Sequence, residues 1–251
     1  LIYIREYPYR QAKITGAVLK PGSYTMAAGE TINDLIQKAG GYTENAYQFG
    51  AIYLNKDAKL INELSKEILY QEFLDNILAL SQQNISGFDL TPIFKLTEEI
   101  KESDVNGRVV VDLLNESTID LYNIKEGDDL FIPERNNVVY VYGETSTEGA
   151  VMFTENQSVD YFVDKSGGFK KFADKESIYI LHPNGESQLY RSKRNIFENR
   201  PKSEIKIYPG SIIFVPRALD ESAPRRLATQ AYVSILGNLG IALASLSAIN
   251  D

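Results

Sequence analysis

Residues 14–54 align without a gap onto residues 141–181 at a constant offset of 127, and this internal repeat limits the possible folds more than any other feature. Four glycines keep register across the copies: Gly16 with Gly143, Gly22 with Gly149, and Gly40-Gly41 with Gly167-Gly168. Shared glycines mark backbone positions that need positive φ or close approach. Apolar positions keep register too, pairing Ile32 with Val159, Leu35 with Phe162, Ile52 with Tyr179 and Leu54 with Leu181. A chain of 251 residues has room for two or three domains, which suits two copies of one unit.

Each copy reads as the same run of elements. A strand over 13–19 or 138–145 leads to a turn at Pro21-Gly22 or Glu148-Gly149, then a short strand over 23–26 or 150–154. Thr31 or Ser158 caps a helix over Ile32–Lys38 or Val159–Lys165, stopped by the Gly-Gly pair. A further strand follows over 51–54 or 177–181. Hairpin, helix and then more strands is the order of a β-grasp domain, so the expected fold class is α+β.

A second motif closes each copy. Ile124-Lys-Glu-Gly127-Asp-Asp-Leu-Phe131-Ile-Pro133 matches Ile207-Tyr-Pro-Gly210-Ser-Ile-Ile-Phe214-Val-Pro216, in each case a turn and an apolar strand ended by proline. From Gly-Gly to this motif takes 86 residues in the first copy and 42 in the second, so the first carries an insertion of about 44 residues. Leu60, Leu64, Ile68, Leu69, Phe73, Leu74, Ile77, Leu78 and Leu80 recur at mainly helical intervals, with a break at 85–92 and a second helical stretch over 93–102. A helical hairpin over about 60–104 is expected, serving either as a cap on the local sheet or as a partner-docking element. The segment 109–114 then returns as a strand. The expected domains are 1–133 for the first unit with its insertion, 134–218 for the second, and 224–251 for a C-terminal helix.

Residues 227–250 carry no charge, while Arg217, Arg225 and Arg226 lie just upstream. As a helix, 227–249 would extend about 35 Å at about 1.5 Å per residue. Gln230, Ser234, Asn238 and Ser245 form one polar stripe, Leu236, Leu239, Leu243 and Leu246 lie on another face, and Gly237 and Gly240 permit close packing. A core helix, a single membrane anchor and an amphipathic helix joining identical copies around a pore are the three readings, and the polar stripe favours the last over a simple anchor.

The chemistry of catalysis is sparse. With no cysteine, disulfides, thiolate metal sites and cysteine nucleophiles are excluded. His182, the sole histidine, lies in a His-Pro-Asn-Gly hairpin sequence and is expected as a surface turn residue. No Ser-His-Asp set, Walker loop or dinucleotide glycine fingerprint is present, so no catalytic, cofactor or metal residue is expected. A net charge of −8 argues against nucleic acid. The sixteen tyrosines are mostly strand residues by expectation; Tyr24, Tyr42 and Tyr142 are the candidates for contact with carbohydrate or a neighbouring subunit, Tyr42 foremost because it follows Gly40-Gly41. The sequence opens on Leu1-Ile-Tyr-Ile-Arg without Met or a signal-peptide pattern, which leads to the expectation of a processed or truncated product.

The strings Ile14-Thr-Gly-Ala-Val-Leu-Lys-Pro-Gly-Ser-Tyr24 and Thr31-Ile-Asn-Asp-Leu-Ile-Gln-Lys-Ala-Gly-Gly41 resemble the SLBB (soluble-ligand-binding β-grasp) family of the outer-membrane polysaccharide exporters. Val139-Tyr-Val-Tyr-Gly143 and Ser166-Gly-Gly168 carry the same resemblance in the second copy, whose Thr147-Glu-Gly149 departs from the usual Pro-Gly. The resemblance covers roughly 12–56 and 105–218, without the export-signature domain that normally precedes such units. It implies a homo-oligomeric periplasmic ring that continues into a helical outer-membrane pore of a Gram-negative bacterium. Capsular or exopolysaccharide would be the cargo, and an inner-membrane polysaccharide co-polymerase a partner. A soluble periplasmic carbohydrate-binding module is the alternative, and a glycan-processing enzyme a third reading.

Overall fold

The computed structural model describes residues 9–82, 101–102, 105–115, 119–192 and 205–218. It is an α+β structure whose contacts divide it into two compact units. Among the described residues, the first holds 9–62 and 106–135, and the second holds 136–218 together with the part of the chain from Glu63 to Val105.

In the first unit, β1 (Arg10–Gly16) and β2 (Gly22–Met26) form a hairpin, followed by α1 (Ile32–Lys38), a 3-10 turn (Gln48–Gly50) and β3 (Ile52–Leu54). Next come α2 (Lys56–Gln82), β4 (Arg108–Val109) and β5 (Asp129–Ile132). The sheet order is β2-β1-β5-β3-β4, with β1 and β5 parallel and the other pairs antiparallel. The second unit repeats this with β6 (Val138–Gly143), β7 (Gly149–Met152), α3 (Val159–Lys165), β8 (Ile178–Leu181), β9 (Ser187–Tyr190) and β10 (Ile212–Val215). Its order is β7-β6-β10-β8-β9, and the parallel pair is β6 with β10. A hairpin and helix feeding a parallel central pair is the β-grasp arrangement, present twice.

Local chemistry explains the elements. Alternation puts Ala12 and Ile14 of β1 inside and Gln11 and Lys13 outside, as the two-residue period of a strand requires. Helix α1 starts at a capping box: Asp34 N donates to Thr31 Oγ1, and Thr31 N donates to Asp34 Oδ2 over 2.8 Å. Its Ile32, Leu35 and Ile36 are buried, as are Val159, Phe162 and Val163 of α3. Both helices end in a Schellman motif. Gly41 N donates to Ile36 O at 2.9 Å and Gly168 N to Val163 O at 3.0 Å, with φ of +88° and +82° at those glycines.

The two cores share no residue. Ile14, Met26, Leu35, Tyr53, Leu130 and Ile132 lie in the first, and Val139, Val141, Phe162, Ile180, Ile213 and Val215 in the second. The segment expected as a strand over 109–114 pairs only through Arg108–Val109. Beyond it, Asp112 Oδ1 accepts from Leu114 N over 3.0 Å, turning the chain, while Val111 and Leu113 still fill the core. Burial without ladder hydrogen bonds produced an apolar run that reads as a strand and is not one.

Helix α2 begins four residues before the first apolar position of its repeat, at Lys56. It leaves where the second unit makes its tight turn: residues 55–107 join β3 to β4, whereas 182–186 join β8 to β9. The expected second helical stretch over 93–102 lies almost wholly outside the described residues. Lys101 and Glu102 are helical, and Lys101 Nζ sits over the Tyr70 ring, 5.5 Å from its centroid.

Candidate functional site

The three tyrosines singled out from sequence have different surroundings. Tyr24, on β2, turns towards the first core, and its hydroxyl donates to Lys20 O over 2.6 Å. Tyr42 bridges to Val18 directly after the helix stop and also packs on that core. Its phenol oxygen is buried without a hydrogen-bond partner among the described residues, and burial pushes its pKa up to about 12. Phe169 fills the same place in the second unit, where it bridges to Thr145. Tyr142 belongs to the second unit and lies on the outer face of β6, opposite to Val139 and Val141. It stacks on Tyr140 with centroids 6.4 Å apart and planes 3° from parallel. The structure brings Tyr24 and Tyr42 to one core and leaves Tyr142 on a sheet face.

That face has a chemistry the repeat does not require. Across the second sheet the register aligns Tyr142, Phe214, Tyr179 and Leu189 in one row, and Ala150, Tyr140, Ile212 and Leu181 in the next. The corresponding face of the first sheet carries Thr15, Phe131 and Ile52 in one row, and Lys13, Asp129, Leu54 and Arg108 in the other. Lys13 and Asp129 form an ion pair there at 3.5 Å. Sequence reading did not single out the aromatic face. Its signal was present in β8 (IYIL) and β10 (IIFV), where apolar residues occupy both faces of the strand.

A buried polar cluster lies at the root of α2. Asp128, 2% exposed, accepts from the Tyr53 hydroxyl, from Asn55 Nδ2 at 2.7 Å and from Lys125 N at 2.7 Å. Asn55 Oδ1 in turn accepts from Asp57 N at 2.9 Å and Ala58 N at 3.1 Å, capping the helix. Lys125 Nζ reaches Asp57 at 2.7 Å on the surface. Burial, with the Asp128 carboxylate beside it, pushes the Tyr53 phenol well above its ordinary pKa. These groups fasten the insertion to the sheet.

His182 occupies the position of Asn55 in the second unit, and here the expectation of a surface turn residue is corrected. His182 is 2% exposed; its Nδ1 lies 3.2 Å from Ser211 Oγ, and its ring meets Tyr208 edge to face at 5.3 Å. The turn itself, at 183–185, leaves the imidazole directed inward. Burial lowers its pKa below 6.5.

Among the described residues no cluster of His, Asp or Glu could hold a metal, and no helix is long and apolar enough to cross a membrane. The stripe Gln230, Ser234, Asn238 and Ser245, with Leu236, Leu239, Leu243 and Leu246, lies outside the described residues. Of the turn residues, Gly40, Gly41, Gly167 and Gly168 have positive φ, as has Gly149 at the start of β7. Gly22 opens β2 opposite Ile14, after the exposed Pro21.

Two successive β-grasp units, each with its own core and helix, match what comparison with known families finds. Residues 11–57 and 138–190 both match the SLBB domain family. Among individual proteins it is similar to two polysialic acid transport proteins KpsD of Escherichia coli, each 22% identical over 204 residues. Those alignments cover 79% of this chain and 35% of each relative, so the chain spans about a third of the length of the curated relatives it matches.

Proposed function

We propose that this chain is a structural component of polysaccharide export, working in the periplasm and at the outer membrane of a Gram-negative bacterium. Its two SLBB units would form layers of a homo-oligomeric ring, and residues 224–251 would continue as amphipathic helices around an outer-membrane pore. The observation that carries the reading is the duplicated β-grasp unit in a chain similar, over 79% of its length, to polysialic acid transport proteins. Translocation of a capsular or exopolysaccharide needs a wide polar lumen, supplied by repetition around an axis, and asks no catalytic residue of the chain. An inner-membrane polysaccharide co-polymerase would deliver the polymer. In the helical segment, Gln230, Ser234, Asn238 and Ser245 would line the lumen, with Leu236, Leu239, Leu243 and Leu246 outside.

A soluble carbohydrate-binding module is the second reading, and the parallel Tyr140–Tyr142 pair favours it as a flat surface for a sugar ring. The two separate on mass measured with and without mild detergent. The export reading expects a large homo-oligomer and loss of membrane association on deletion of residues 225–251, with both SLBB units still folded. A strict monomer indifferent to detergent would sink it, as would unfolding of the second unit by that deletion.

A further inference from the structure

Cations of the two units have different partners. In the first, lysines sit on carboxylates: Lys13 on Asp129 at 3.5 Å, Lys38 on Glu30 at 2.5 Å, and Lys125 on Asp57 at 2.7 Å. In the second, cations lie over aromatic rings. Lys171 Nζ and Arg217 Cζ are both over the Phe172 ring, 5.3 and 5.0 Å from its centroid, and Lys175 Nζ is over Phe169 at 4.7 Å. A ring quadrupole holds a cation in place without cancelling its charge, whereas a carboxylate cancels it. Among the described residues no carboxylate pairs with Lys170, Lys171, Lys175 or Arg217. Lys170, Lys171 and Arg217 are exposed, and Phe172 is 50% exposed.

The repeat supplies an internal control. The isolated bridges Ala46 to Glu134 and Ala173 to Arg217 place Arg217 where the first unit has Glu134. The offset of 127 sets Lys170, Lys171 and Lys175 against Thr43, Glu44 and Gln48. One backbone frame therefore carries an acidic loop in the first unit and a basic one in the second, within a chain of net charge −8. Folding does not demand the change.

We propose that Lys171, Lys175 and Arg217, positioned by Phe169 and Phe172, form with the exposed Lys170 a binding site for an anionic polymer, namely an acidic polysaccharide. Pinning two cationic heads on one ring offsets their mutual repulsion before the ligand arrives, so carboxylates spaced along a chain meet charges already in position. The choice of a polysaccharide as the polyanion rests on the export reading; the anion site itself does not.

The test gives the full-length chain the first unit's own residues, Lys170→Thr, Lys171→Glu, Lys175→Gln and Arg217→Glu. Binding to polysialic acid, to neutral dextran of equal length and to phosphatidylglycerol vesicles is compared. The parent chain should bind polysialic acid, lose it with added salt and ignore dextran. The swapped chain should bind at least about tenfold more weakly, since it loses four contacts each worth a modest electrostatic increment. Phe172→Leu, which keeps every charge and guards against misfolding of the larger variant, should weaken binding by about two- to fivefold. Equal binding by parent and swapped chains, or equal affinity for dextran, overturns the site. Capture by the lipid vesicles alone would assign the patch to a membrane surface and overturn it too. A monomeric chain that still binds polysialic acid through these residues would remove the export assembly and leave the site.

Discussion

Gly16 and Gly143 show how much one missing side chain can fix. Each closes the first strand of its unit with positive φ, and a Cβ there would lie 2.0 Å from Ile132 O or 2.2 Å from Val215 O. That proximity exists because the next residue donates to the same carbonyl, Ala17 N at 2.7 Å and Glu144 N at 2.8 Å. Gly41 has a similar φ of +88° but open space around it. Gly41→Ala should therefore cost about 1–2 kcal/mol from the left-handed conformation alone, and Gly16→Ala clearly more; urea unfolding of both variants measures the difference. Equal costs would mean the backbone shifts freely. The repeat made these glycines legible, because their constraint is local and recurs in register. His182 was not legible, because its burial depends on Ser211 and Tyr208, 26 or more residues further along. The sign of its pH effect follows from that burial. With a folded pKa below the unfolded 6.5, the unfolded chain takes the proton first. Stability is therefore full above pH 6.5 and is lost as pH falls through that value towards the folded one. His182→Asn, which installs the residue the first unit carries at this position, should reduce the loss of melting temperature between pH 7.5 and 5.5. An unchanged loss would assign the acid sensitivity to carboxylates.

At the level of elements, the insertion is the main asymmetry between the repeats. Apolar periodicity from Leu60 onward identified α2 as a helix, yet Leu60, Ile61, Leu64 and Ile68 are each about 60% exposed in the structure. Periodicity reports helix, and says nothing of what the apolar stripe meets. The true start was hidden because Asn55 acts through its side chain, one amide serving the helix end and the Asp128 carboxylate together. A cap that also satisfies a buried charge should cost more to remove than an ordinary one. Asn55→Ala is expected to destabilise the first unit by about 2–4 kcal/mol, joining a lost cap to an under-satisfied carboxylate. Asn62→Ala, which forfeits one 3.0 Å bond to Asn106 O, should stay near 1 kcal/mol. Denaturant titration of the two variants decides it, and comparable losses would remove Asn55 as the anchor of the insertion.

For the whole molecule, duplication has kept the frame and released the surfaces. Strand order, parallel central pair, Schellman stops and closing turns recur, while outer sheet faces, cation partners and the β3–β4 connection differ between units. The frame was readable from sequence because it depends on contacts within a unit. The surfaces were not, since which cation meets a carboxylate and which a ring is settled only when distant segments come together. Separate cores give this a thermodynamic consequence. Leu35 and Phe162 are equivalent by the offset of 127, and each is fully buried in its own core. Phe162 packs against Phe153 at 6.4 Å and Tyr161 at 5.3 Å. Phe162→Ala should remove about 3–5 kcal/mol from the second unit, and Leu35→Ala about 2–5 kcal/mol from the first. If each unit is stabilised by its own core, hydrogen exchange will show each substitution lowering protection in its own repeat alone. Loss of protection over 10–54 in the Phe162→Ala protein would instead show that the repeats unfold as one cooperative body, and that their stabilities cannot be tuned separately.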